Sequence, residues 1–279
     1  MTRLSFEFFP PKNDEQRATL EGTLAKLKPL EPEYVSCTFG AGGSTLDFTL
    51  DTVLKLQRDH GLDAAPHLSC MGGEAASISQ LLDQYVAAGI RRIVALRGDI
   101  PSGMAQIGGS FRYANELVAF IRANYGAHFH IEVGAYPEIH PQASSAREDL
   151  LNFKRKADAG ADGAITQYFF NADAYFQFVD EVRALGVGIP IVPGIMPISN
   201  FSQLRQFSAM CGAEIPRWLE RRMSAFGDDA ESIKSLGAEV VANMCRKLID
   251  SGVESLHFYT LNRPKATLRV VELLGLSAR

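Results

Sequence analysis

Cysteine is scarce and scattered in this chain: Cys37, Cys70, Cys211 and Cys245 are the only four in 279 residues. Their spacing fits neither a zinc ligand set nor a disulfide framework, so reduced core thiols of an intracellular protein are expected. No run of about 20 apolar residues could span a bilayer. The opening MTRLSFEFFPPKND has no apolar stretch of signal-peptide length. A cytoplasmic protein with no membrane partner is the expectation. Basic charge is not in excess either. The 28 Lys and Arg against 32 Asp and Glu leave a formal charge of −4, and no basic run offers a footprint for a phosphate backbone, which argues against nucleic acid. Also missing are a Walker A sequence, HExxH and GxSxG. GAGGS at Gly40–Ser44 lacks the G-x-G-x-x-G spacing and reads as a βα loop.

What is present is a globular composition, 46% hydrophobic and 22% charged, in a length that suits one large α/β barrel. Short β-type runs alternate with longer helical patterns along the whole chain. Strands are expected near Leu4–Phe8, Tyr34–Thr38, Ala65–Ser69, Arg92–Leu96, His130–Ala135, Ala164–Gln167, Ile189–Val192 and Ser255–Tyr259. Helices are expected between them, from Asp14–Leu27 through Asp229–Asp250 to a closing one near Lys265–Leu274, with an extra short helix in Pro216–Phe226. Asp14 and Ser144 are candidate N-caps. Gly61, Gly89, Gly160, Gly186 and Gly252 stand where left-handed C-terminal caps belong. Such alternation builds parallel strands with helical crossovers, and eight units favour a single (β/α)8 TIM barrel over residues 1–279.

Alternation within the strands then places polar groups. In the first strand Leu4, Phe6 and Phe8 share one face and Ser5 and Glu7 the other. The aromatic face suits the surrounding helices, which sends Glu7 into the barrel at the strand's C-terminal end, where barrel enzymes hold their active sites. A carboxylate there has its pKa raised by desolvation, as a proton donor near neutral pH requires; an ion-paired structural Glu is the alternative. Ser36, Thr38, His67, Arg97, Asp99, Tyr136, His140, Gln167, Tyr259 and Arg263 fall at the same end. Each alone has an incidental reading: a core histidine, a glutamine on backbone, an Arg97–Asp99 pair shaping a turn. Together, after different strands, they mark a site. Asp149, Asn152, Arg155 and Lys156 share one helix at spacings that could form a polar ridge beside a phosphate-bearing ligand, or merely a solvated face.

Eight segments, in order, resemble one family. They are SFEFFPP (Ser5–Pro11), VSCTFGAGGS (Val35–Ser44), APHLSC (Ala65–Cys70), IVALRGD (Ile93–Asp99), AYPEIHP (Ala135–Pro141), ITQYFF (Ile165–Phe170), PGIMPISNF (Pro193–Phe201) and HFYTLNR (His257–Arg263). Their counterparts are those of methylenetetrahydrofolate reductases, in the short bacterial form without a regulatory domain.

The resemblance implies a barrel with non-covalent FAD that passes a hydride from NADH or NADPH to 5,10-methylenetetrahydrofolate, the two substrates occupying overlapping space in turn. It implies a homo-oligomer. By the same resemblance Glu7 is the general acid that opens the folate's five-membered ring, and Asp99 the carboxylate near flavin and folate. Gln167 would meet folate and nicotinamide in turn, Thr38 the nicotinamide side, and Gln203, Phe207, Tyr259 and Arg263 the folate. The implied FAD positions are Thr38, Phe39, Ala41, His67, Arg97, Gly98, Asp99, Ala114, Tyr136, His140, Ala143, Asp149, Asn152, Arg155 and Lys156, with Arg155 and Lys156 by the phosphates and Asp149 by ribose. Phe39 stands where the family commonly has Tyr, which removes a hydroxyl from the FAD side, and Ile100–Ser110 departs from the family pattern. A barrel flavoenzyme for another pterin or imine, or a silent flavin-binding subunit, are the competing readings; a mere flavin carrier needs no buried proton donor.

Overall fold

The computed structural model describes residues 2–39, 46–71, 73–98 and 108–276. Strands and helices alternate as β1 (Arg3–Phe8), α1 (Asp14–Leu27), β2 (Tyr34–Cys37), α2 (Leu46–Arg58), β3 (Ala64–Ser69), α3 (Ala75–Ala87), β4 (Arg92–Leu96) and α4 (Ala114–Tyr125). They continue as β5 (His130–Ala135), α5 (Ala146–Asp158), β6 (Gly163–Thr166), α6 (Ala172–Ala184), β7 (Ile191–Val192) and β8 (Gly194–Ile195). Three helices follow, α7 (Phe201–Cys211), α8 (Arg217–Ser224) and α9 (Ala230–Asp250), and the chain closes with β9 (Ser255–Tyr259) and α10 (Pro264–Leu273). Every pairing is parallel, in the order β7-β6-β5-β4-β3-β2-β1-β9-β8.

The seventh barrel strand differs from the expected Ile189–Val192. It is broken at Pro193, which has no N–H to donate. Its first half pairs with β6 through Val192 and its second with β9 through Gly194 and Ile195. The Pro193 carbonyl still accepts from His257 N at 3.1 Å, so the segment closes the ring. Gly194 is required there: a Cβ would overlap the Thr166 carbonyl oxygen and come within 2.7 Å of Tyr259 Oη. Without it, Tyr259 lies across the strand and donates to Thr166 O at 2.6 Å.

Two caps also differ from expectation by one residue. Asn13, in extended backbone, caps α1 by accepting from Gln16 N, and Ser145 caps α5 by accepting from Glu148 N. Asp14 and Ser144 lie just off these positions. The five glycines expected at helix ends all have positive φ, and the expected short helix is α8.

The inside and outside of the barrel follow the alternation. Leu4, Phe6 and Phe8 are buried in the layer between strands and helices, where Phe6 meets Phe258 at 6.1 Å. Inward, Tyr34, Ala65, Val94 and Ile165 form a small apolar cluster. Below it, at the N-terminal ends of the strands, Arg92 lies 4.3 Å over the Tyr34 ring and donates to Glu132 Oε1 at 2.8 Å. These charges form a paired plug at the bottom of the barrel, opposite the end that holds the site. Among the described residues no helix is long and apolar enough to cross a membrane.

Candidate active site

Glu7 projects from the C-terminal half of β1 into the barrel, its side chain 15% exposed. Its neighbours are imidazoles: His67 Nε2 stands 3.4 Å and His257 Nε2 4.0 Å from Glu7 Oε2. Ser5 Oγ is 2.7 Å from His257 Nδ1, and Ser36 Oγ 3.5 Å from its Nε2, so His257 is held on both ring nitrogens. Tyr34 stacks on it at 5.8 Å. Burial sets the protonation of all three groups. It pushes the Glu7 carboxyl up to about 8 and His67 down to about 4; His257 falls to about 3, burial first and His67 second. At pH 7 these are a protonated acid and two neutral rings, not ion pairs. His67 Nε2 is buried without a hydrogen-bond partner among the described residues, and this orphan atom faces the acid.

Around the mouth, Thr38 and half-buried Phe39 follow β2, with the Thr38 carbonyl accepting from Thr49 Oγ1 at 3.0 Å. Gln167 follows β6; its side-chain carbonyl accepts from Tyr168 N at 3.0 Å, the backbone bond foreseen for it. Tyr259 is locked to Thr166, and burial raises its phenol well above the usual range, which removes it as a proton donor and leaves it as a wall. Gly98 has φ +92°, and a Cβ there would strike Ser69 Oγ, so the backbone after β4 passes closer than any side chain would permit.

The α5 ridge divides into two parts. Lys156 is not solvated: its amine donates to Gly134 O at 2.5 Å, and burial lowers it to about 8, with Asp149 opposing the shift and Arg97 adding to it. Arg155 instead turns to Glu148 Oε1 and Asn152 Oδ1, both at 2.5 Å. Asp149 Oδ2 accepts from His140 N at 2.9 Å, and Tyr136 meets the His140 ring edge-on at 4.4 Å. Ala143 N closes that loop on His140 O at 2.9 Å. Arg97 donates to Gln142 and Gly98 O, neutral acceptors. Ala114 opens α4 and is buried. On the other flank Gln203 sits in the first turn of α7, whose cap Asn200 accepts from Gln203 N at 2.8 Å. Arg263 donates to Gln203 Oε1 at 3.3 Å, and half-buried Phe207 packs one turn further along. Ala41, Asp99 and the GAGGS segment lie outside the described residues.

The structure therefore brings Glu7 and His67 together, Lys156 with Asp149 and Arg97, and Gln203 with Arg263. Sequence reading missed His257 as a site residue. Its signal was present: in SLHFY, His257 has the inward parity of Tyr259, between outward Leu256 and Phe258.

Comparison with known proteins addresses the family and the fold. The family described as methylenetetrahydrofolate reductase matches residues 1–275. The 5,10-methylenetetrahydrofolate reductase of Escherichia coli (strain K12) is 42% identical over 272 residues, covering 98% of this chain and 90% of that one. Methylenetetrahydrofolate reductase (NADH) 1 of Arabidopsis thaliana is 37% identical over 287 residues, 99% of this chain but 48% of the plant protein. Among solved structures, an uncharacterized protein from Clostridium thermocellum that binds two copies of 5-methyl-5,6,7,8-tetrahydrofolic acid superposes with a TM-score of 0.67 at 15% identity, over 98% of this chain and 94% of that one. At that identity it speaks for the fold alone. With a family match running almost end to end and relatives above 40% identity, this chain belongs to the methylenetetrahydrofolate reductase family.

Proposed function

We propose that the chain reduces 5,10-methylenetetrahydrofolate to 5-methyltetrahydrofolate at the mouth of the barrel, with electrons from NADH or NADPH and with FAD as bound cofactor. The reaction class comes from the family; the observation that carries the chemistry is Glu7, a carboxylic acid that keeps its proton up to about pH 8. The residues fit FAD. Lys156 and Arg97 are two cations that repel one another, with Asp149 acting against that strain on Lys156, and a diphosphate is the chemistry that relieves it. Arg155 is engaged by Glu148 and Asn152, which leaves Lys156 and Arg97 as the phosphate partners and Asp149 with Asn152 beside ribose. FAD held there would supply hydride transfer between nicotinamide and folate.

The chain's own groups do the rest. Glu7 gives its proton to a nitrogen of the methylene bridge, and the bond from that nitrogen to the methylene carbon breaks. The carbon is left as an iminium on the other nitrogen, able to take a hydride. Glu7, now a carboxylate, regains a proton from solvent before the next turnover. Arg263, oriented by Gln203, takes a carboxylate of the folate, and Phe207 offers a ring to stack on. Because Glu7 acts only on the folate, anaerobic stopped-flow of Glu7→Gln separates the halves. Bleaching by the nicotinamide should match wild type, while reoxidation by methylenetetrahydrofolate should fall about 10²–10⁴-fold. Equal loss in both halves would defeat the assignment.

A further inference from the structure

The ladder between β1 and β9 runs in register from Arg3 with Ser255 to Glu7 with Tyr259. Past that pair the ladder ends. One chain continues through Phe9 to Pro10 and Pro11, which have no N–H to donate, and the other through Thr260 to α10. Side chains carry the pairing further. Thr260 Oγ1 donates to Glu7 O at 2.6 Å. The Asn262 amide then takes both backbone groups of Phe9: Phe9 N donates to its Oδ1 at 2.9 Å, and its Nδ2 donates to Phe9 O at 3.0 Å. An asparagine side chain ends in the same donor and acceptor as a peptide group, so it stands in here for one more rung.

This rung is made at a cost to the backbone. Leu261 and Asn262 both have positive φ, 51° and 55°, a conformation that asparagine tolerates and leucine disfavours. Hydrogen bonds hold the turn in place: Asn262 N donates to Thr260 Oγ1 at 3.2 Å, Arg263 N to Thr260 O at 2.8 Å, and the buried Thr23 Oγ1 of α1 to Asn262 O at 2.9 Å. Strained backbone persists where its surroundings over-determine it, and it gathers at functional sites. Both flanks of this turn carry site residues. Glu7 lies two residues before Phe9, and Arg263 directly follows Asn262.

We propose that Asn262 is a positioning residue: its amide, with the Thr260 hydroxyl, clasps the end of β1 to the start of α10 and so fixes the proton donor Glu7 relative to the folate anchor Arg263. The proposal rests on the reading of Glu7 and Arg263 as acting on the two ends of one folate. A substrate held at Arg263 presents its methylene bridge to the acid only while the two loops keep one spacing. Proton transfer needs heavy atoms within about 2.6–3.2 Å, and a misplacement of about 1 Å costs on the order of a hundredfold in rate.

The test uses FAD-loaded full-length protein and two variants. Asn262→Gly removes the amide while glycine still adopts the positive φ, and Thr260→Val removes the hydroxyl at nearly constant shape. In anaerobic stopped-flow, bleaching by the nicotinamide should match wild type in both. Reoxidation by saturating methylenetetrahydrofolate should slow about ten- to a hundred-fold in Asn262→Gly. In a Glu7→Gln background the same substitution should add less than about twofold, because the clasp acts through the acid. A reoxidation rate within about twofold of wild type would overturn the proposal, as would equal slowing of both half-reactions or full additivity with Glu7→Gln. If Asn262→Gly does not fold, the same comparison is read from Thr260→Val. If folate fails to reoxidise even wild type, the proposed reaction falls, and infrared titration of the Glu7 carboxyl, isolated by difference against Glu7→Gln, still decides the clasp. Loosening it admits water, so Asn262→Gly should lower the midpoint from about 8; an unmoved midpoint would refute the clasp.

Discussion

Replacing Glu7 by Gln should make the protein more stable at neutral pH while disabling it. Glu7 holds its proton to about pH 8 when folded, against 4.5 as the ordinary value. Between those limits the folded chain binds one more proton than the unfolded, so stability falls as pH rises, by about 1.4 kcal/mol per pH unit. At pH 7 that amounts to a cost on the order of 3 kcal/mol. His67 and His257 act in the opposite sense. Their folded values lie near 4 and 3 against 6.5, so below pH 6.5 the unfolded chain takes up protons that the folded one refuses, and stability falls with acidification. From pH 4.5 to 6.5 two histidines outweigh one carboxyl, giving a net rise of about 1.4 kcal/mol per unit. Above 6.5 only Glu7 titrates differently, and the slope reverses.

The contribution of this cluster therefore peaks near pH 6.5. Urea unfolding of wild type and Glu7→Gln from pH 5 to 8 would measure it through midpoints at constant m. Expected are a wild-type decline above pH 6.5, its disappearance in Glu7→Gln, and a retained decline below 6.5 in both. A structural, ion-paired Glu7 predicts the reverse: a destabilised Gln variant and no wild-type decline above 6.5. That outcome would refute the reading of Glu7 as a protonated acid.

Three further outcomes are expected. Lys156→Glu places a carboxylate against the Gly134 carbonyl and removes a cation from the proposed FAD site, so flavin affinity should drop about ten- to a hundred-fold; a variant that stays yellow through gel filtration would refute that placement of the phosphates. Gly194→Ala drives a methyl into the Thr166 carbonyl and the Tyr259 ring, which costs about 1–3 kcal/mol or more by thermal unfolding; an unchanged Tm would mean the barrel closes differently. Asn13→Ala should lose about 1 kcal/mol with the α1 cap while Asp14→Ala stays within about 0.5, and equal effects would restore Asp14 as the cap.

What could be read from residues alone was whatever depends on short-range periodicity. The alternation of Leu4, Phe6 and Phe8 with Ser5 and Glu7 was enough to turn the acid inward, because a strand's side chains have only two directions. Glycines at helix ends were readable because a left-handed cap excludes most other residues. Asn13 and Asp14 are both competent caps, and only the extended backbone at Asn13 decides between them. Lys156 looks like its solvated neighbours in sequence, yet the carbonyl it meets lies on β5, 22 residues earlier in the chain. The clasp at Asn262 was invisible for the same reason: its partner Phe9 lies 253 residues away, and nothing local in either loop announces the pairing.

The state of Glu7 depends on where the interior keeps its charges. A unit positive charge 4 Å away, at an effective dielectric of 20, is worth about 4 kcal/mol, or about three pH units. One imidazolium at the His67 or His257 position would return Glu7 most of the way to an ordinary, ionised carboxylate. Both rings stay neutral because both are buried, and His257 keeps its hydrogen bonds through Ser5 and Ser36, partners that carry no charge. Arg92 sits at the opposite end of the strands and is matched there by Glu132. Neutral partners at the mouth and paired ions at the base are thus one arrangement, and the proton on Glu7 is its consequence.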